Sequence, residues 1–99
     1  MKFTYMVKQL TEEMVERVPW MSPIDYEILL FFEEHDILVS PKVLGANIEY
    51  DRQYTGKRCR ALQKADLLKR HDNGLYGLAT RGRRFLKGEI DPSELEEPN

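Results

Sequence analysis

The chain is 99 residues long, 41% apolar and 10% aromatic, with a net charge of −2. That suits one small domain with a modest core and excludes a disordered chain. No apolar run nears the ~18 residues a bilayer span needs, MKFTYMVKQL lacks the apolar core of a signal peptide, and a lone cysteine, Cys59, excludes a disulfide framework, so a cytoplasmic protein is expected.

Charge is distributed unevenly. Residues 1–40 carry a net −5, residues 41–88 a net +8 and residues 89–99 a net −5. A basic middle between acidic ends can mark a polyanion-binding face, provided its cations gather on particular elements.

In chain order, residues 3–18 read as a helix. Phe3, Val7, Leu10 and Met14 follow a 4-3-4 spacing and form one apolar stripe. The stripe is too short for a free-standing coiled coil, so it either pairs across a homodimer or folds back on its own domain. Pro19 ends this helix. Ser22 then caps a second helix, with Pro23 at its first position and Asp25 three residues after the cap. Its buried face is expected to hold Ile24, Ile28, Phe31 and Phe32, with Glu27, Glu33 and Glu34 pointing away. A short strand is expected at Ile37–Val39.

Ser40-Pro41 repeats the cap-and-proline signal and predicts a short helix to about Asn47 that buries Val43, Leu44 and Ile48. Asp51 caps the next helix, over about Arg52–Ala65. Two helices joined by a turn of about four residues make a helix-turn-helix. Leu68–His71 and Leu75–Ala79 read as the strands of a hairpin turned at Asp72-Asn73-Gly74, where Asn and Gly tolerate positive φ. Thr80 is expected to cap a last helix through about Lys87, burying Phe85 and Leu86. The acidic end offers Ile90 and Leu95 as docking residues. The expected fold is therefore mainly α with a small β-hairpin (α+β): a winged helix-turn-helix with an extra N-terminal helix. Its parts are an N-terminal helix (1–19), the winged-helix domain (20–90) and an acidic tail (91–99).

On a helical wheel, Thr55, Cys59 and Leu62 share one side of residues 52–65. Arg52, Gln53, Gly56, Lys57, Arg60, Gln63 and Lys64 share the other, which holds no acid. A merely solvated face usually mixes signs. Lys and Arg neutralise phosphates, Arg pairs with guanine and Gln with adenine in the major groove, and the start of a second helix reaches the bases. Arg52, Gln53 and Lys57 are thus expected at the groove, Gly56 as room for close approach, and Arg60 and Lys64 on phosphates.

Tyr54 either meets the sugar-phosphate or packs on Tyr50. Arg58 falls nearer the buried side, where its head reaches either an acid or a phosphate. Cys59 reads as a core thiol. Lys69 and Arg70 on the hairpin and Arg81 on the last helix extend the phosphate track, with Lys87 assigned to the acidic tail. No phosphate loop, metal-spaced His/Cys set or nucleophile with a base is present, so no enzyme activity, cofactor or small-molecule ligand is expected. The expected partner is double-stranded DNA; the alternatives are a protein-interaction adaptor and a non-specific chromatin-type binder.

The segments WMSPIDYEIL, NIEYDRQYTGKRCRAL and LLKRHDNGLYGLATRGRRFLKGEID resemble the haloarchaeal phage phi-H repressor-like winged-helix proteins over about residues 20–95. The resemblance implies an archaeal transcriptional regulator that acts as a repressor. It implies DNA-contacting or DNA-positioning roles for Arg52, Tyr54, Arg58 and Arg60. The helix over 3–18 lies outside the shared pattern.

Overall fold

A computed structural model describes residues 18–98. Residues 3–17 of the expected helix, with its stripe of Phe3, Val7, Leu10 and Met14, lie outside the described residues; Val18, its expected last residue, is buried and not helical.

Helix α1 spans Pro23–Glu34 and begins where the sequence signals it: Ser22 N–H donates to Asp25 Oδ2 at 2.8 Å. The preceding chain is fixed by Val18 N–H, which donates to the Tyr26 hydroxyl at 2.7 Å. Helix α1 is the hub, because the other helices and the hairpin pack around it. Ile24, Ile28, Leu29 and Phe32 are buried, and so are Asp25 and Glu27. Glu27 therefore does not point away as its wheel position suggested, since a helix packed on several sides has little solvent face. Phe31 is only half-buried and stacks on His35, with ring centroids 4.5 Å apart.

Helix α2 spans Pro41–Ile48 and is capped by Ser40, whose Oγ accepts from Val43 N–H. It packs on one side only, through Leu44, Gly45 and Ile48. Val43, expected inside, is one position off that side and 46% exposed. Residues 49–51 turn the chain, with Glu49 at φ 65°. Helix α3 then runs Arg52–Lys64 and crosses α2 closely, completing the helix-turn-helix. Leu62 and Cys59 of α3, Leu44 of α2 and Phe32 of α1 share one core, and full burial of each large apolar side chain contributes roughly 1.5–3 kcal/mol.

Strands β1 (Leu68–Arg70) and β2 (Tyr76–Leu78) pair antiparallel, with Lys69 opposite Gly77. They are one or two residues shorter than expected, because the turn takes His71 and Leu75 and Ala79 holds the cap position of the next helix. Asn73 and Gly74 adopt φ of 64° and 73°, as their residue types allow. Of the expected strand Ile37–Val39, only Val39 pairs, exchanging both backbone bonds with Tyr76. Helix α4 spans Thr80–Leu86; Thr80 is its first residue and Ala79 holds the cap position. Phe85 is buried, and Leu86 is half-buried. The acidic end turns back through Pro92–Glu94, burying Ile90 and Leu95. Trp20 Nε1 donates to the Leu95 carbonyl at 2.8 Å and ties that end to the core.

Candidate nucleic-acid interface

Helix α3 carries the candidate surface. Asp51 Oδ2 accepts from Tyr54 N–H at 3.0 Å, and the Asp51 carbonyl accepts from the Thr55 hydroxyl at 2.7 Å. These bonds satisfy the first turn without using its outward side chains. Thr55, Cys59 and Leu62 face the core, as their spacing predicts. Arg52, Gln53, Lys57, Arg60 and Lys64 are exposed. No ion pair among the described residues engages Arg52, Lys57 or Arg60. Three exposed cations on one helix face, none held in an ion pair among the described residues, raise the local positive potential.

The remaining residues divide. Tyr54 is 39% exposed, and its ring lies 6.2 Å from that of Tyr50. Tyr50 in turn donates its hydroxyl to Glu27 Oε2 at 3.1 Å; burial first, then the Glu27 charge, pushes the phenol up to about 12. Lys69 and Arg70 are exposed on β1. Cys59 is fully buried, and burial pushes its thiol up to about 12, which leaves it a core thiol.

Three of the expected contact residues have neighbours within the fold. Arg58 turns inward: its Nε donates to Asp25 Oδ1 at 2.8 Å and its Nη2 to Asp25 Oδ2 at 2.7 Å. Its side chain is 16% exposed and that of Asp25 is 0%. The hydrogen bonds to Asp25 raise the guanidinium above its ordinary value despite burial. Between the two readings left open by its wheel position, the acid holds it. Gly56 is buried between Pro41 of α2 and the Arg60 guanidinium, which leaves it less open to close approach than its wheel position suggested. A methyl added there would sit 3.7 Å from Pro41 Cβ, an ordinary contact. Gly56→Ala is therefore expected to stabilise the domain by up to ~1 kcal/mol through helix propensity and to leave DNA binding intact. Urea unfolding and a gel-shift titration of the same variant check both halves. Arg81 is half-buried and donates through Nη2 to the Glu94 carbonyl at 3.1 Å, which ties it to the C-terminal turn. Lys87, assigned to the tail, makes no ion pair among the described residues. Instead Arg84 approaches Glu89 at 3.5 Å, an exposed pair worth little.

Sequence reasoning also missed residues that shape the site. Asp25 announced itself only as a cap, and Glu27 as solvent-facing. Gly45 gave no signal, yet it permits the tight α2–α3 crossing: a methyl there would fall 2.9 Å from the Tyr50 carbonyl oxygen.

A helix-turn-helix followed by a hairpin is the architecture that the comparisons with known proteins return. The sequence pattern of winged helix-turn-helix phage repressors matches residues 14–98. The chain belongs to that family. It is 34% identical over 93 residues to the repressor protein of Halobacterium phage phiH, covering 84% of this chain and 98% of that relative. The crystal structure of the PhiH1 repressor-like protein from Haloarcula marismortui superposes with a TM-score of 0.74 at 29% identity, covering 85% of this chain and 97% of the other. As a member of this repressor family the chain is a DNA-binding transcriptional regulator and not an enzyme. No helix among its described residues is long and apolar enough to cross a membrane.

Proposed function

We propose that this family member represses transcription from the cytoplasm by setting α3 into the major groove of a specific duplex, as a homodimer. Arg52, Gln53 and Lys57 at the start of α3 meet base edges. Arg60 and Lys64 take phosphates further along. Lys69 and Arg70 of β1 contact the backbone beside the groove, with Tyr54 at its edge. Pairing of two copies is supported by the sequence spacing of Phe3, Val7, Leu10 and Met14 and by the two-fold symmetry of operators that helix-turn-helix dimers read. The observation that carries the reading is the acid-free row of cations on the second helix of the helix-turn-helix.

Fluorescence anisotropy of a labelled duplex, titrated from low to high potassium chloride, tests it. Log K is expected to fall by about 0.9 per phosphate neutralised for each tenfold rise in salt. A chain that binds no duplex at low salt acts instead as a protein adaptor.

The acidic end bears on the same surface. Pro98 lies beside Lys57, Arg58, Arg60, Ala61 and Lys64, with Glu96 and Glu97 exposed just before it. Their charges repel an approaching phosphate backbone. Glu96→Gln with Glu97→Gln is expected to raise affinity for any duplex about two- to tenfold at low salt, with the gain vanishing at high salt as screening shortens the Debye length. The same anisotropy titration reads this gain directly.

A further inference from the structure

Helix α1 touches the helix-turn-helix through two buried acids. Asp25 uses both carboxylate oxygens on Arg58 of α3, and its Oδ2 also accepts from Ser22 N–H. Glu27, 6% exposed and two residues later, accepts from the hydroxyl of Tyr50, the residue before the α3 cap. Among the described residues no buried side-chain nitrogen or oxygen lacks a partner.

Buried ion pairs are poor sources of net stability, because desolvation consumes much of the Coulombic gain. They are directional, and a bidentate Arg–carboxylate pair is more so than any point-charge contact. The anchors lie at the entry to α3 and, about 10 Å along its axis, at its second turn. Two separated anchors fix both the tilt and the roll of a helix. Arg58 and Lys57 are neighbours in sequence, so the roll that seats Arg58 on Asp25 also sets where Lys57 points.

We infer that Asp25 and Arg58, aided by Glu27 and Tyr50, are positioning residues that orient α3 for base reading without touching DNA. The inference rests on the DNA-binding reading above and assigns Arg58 a role separate from phosphate contact. It makes sequence discrimination, rather than affinity for DNA in general, the property most sensitive to the pair. Non-specific binding is largely electrostatic and tolerates small changes in helix orientation. Base-edge hydrogen bonds do not.

The test is the double variant Asp25→Asn, Arg58→Met. It removes one charge of each sign, so the net charge is unchanged. The introduced amide keeps an oxygen for Ser22 N–H, and no unpaired charge is left inside. The probes are the duplex selected from a random pool by the unmodified chain and a random duplex of equal length. The expected result is an about tenfold loss of affinity for the selected duplex (~1.4 kcal/mol). Random-duplex affinity and the salt slope stay unchanged, while Tm falls by several degrees because the new amide N–H group is buried without an acceptor.

Unchanged discrimination between the two duplexes overturns the inference. So does a slope reduced by about 0.9, which would make Arg58 a phosphate ligand. Tyr50→Phe keeps the ring and removes only the hydroxyl. It should lower discrimination in the same direction, so the inference stays testable if the double variant fails to fold; full discrimination in folded Tyr50→Phe counts against it. An unmodified chain that selects no duplex refutes the proposed sequence-specific reading itself, an outcome distinct from either variant result.

Discussion

Gly45→Ala is expected to destabilise the domain by about 1–3 kcal/mol, the usual cost of overpacking, and to weaken duplex binding in proportion. The added methyl would lie 2.9 Å from the Tyr50 carbonyl oxygen and 3.0 Å from Thr55 Oγ1. Neither atom yields easily. Tyr50 N–H donates to the Gly45 carbonyl at 3.0 Å, and the Thr55 hydroxyl donates to the Asp51 carbonyl at 2.7 Å. Relief requires α2 and α3 to separate, which opens the contact that defines the helix-turn-helix. For a domain of this size each kcal/mol moves Tm by roughly 4–8 °C, so thermal unfolding followed by circular dichroism resolves the effect. Wild-type stability in Gly45→Ala would refute the tight crossing. The contrast with Gly56→Ala is informative: two glycines eleven residues apart, with the same propensity gain from alanine, are expected to respond with opposite sign.

The second large effect concerns binding alone. Arg52→Ala with Lys57→Ala removes two exposed cations that no acid among the described residues engages, so Tm is expected to stay unchanged or rise slightly. Arg52 in fact opposes its helix, since cations are disfavoured at the positive end of the helix dipole. A residue that opposes its own helix is explained more simply by what lies outside the protein. Each contact of this kind is worth roughly 1–3 kcal/mol, so affinity for a selected duplex should fall about thirtyfold or more. The salt slope should flatten by up to about 1.8 if both cations neutralise phosphates, and by less if Arg52 meets a base. Unchanged affinity would remove α3 as the contact surface.

The elements were legible where a local signal decides them. Ser22-Pro23, Ser40-Pro41 and Asp51 start three helices within a residue of the expected positions, because capping and proline geometry depend on neighbours in sequence. Asn73-Gly74 makes the hairpin turn for the same reason. Thr55, Cys59 and Leu62 were found inside because a 3.6-residue period reports which side of a helix is apolar. The period fails where a helix packs on more than one side. Glu27 looked solvent-facing because α1 was read as a surface helix, whereas it is the hub.

Long-range pairing was not legible. Arg58 plainly needed an acid or a phosphate, but nothing in the sequence selects Asp25, 33 positions away, from the other carboxylates. Gly56 sat on the basic side of the wheel, yet it is buried, with Pro41 of another helix against it beside the Arg60 guanidinium. Arg81 was read by its charge, and its partner is a backbone carbonyl at Glu94 that only the folded chain end brings near. In each case the side chain's own element was placed correctly, and the neighbour that decides its role came from elsewhere.

Selection of bound sequences from a random double-stranded pool decides whether the outward face of α3 reads a duplex sequence, as proposed. A defined motif is expected to be enriched, arranged as two inverted half-sites about one helical turn apart if two copies bind together. Arg52→Ala with Lys57→Ala should lose that enrichment. A pool recovered unenriched, with duplex affinity equal to that for random sequence, would contradict that reading.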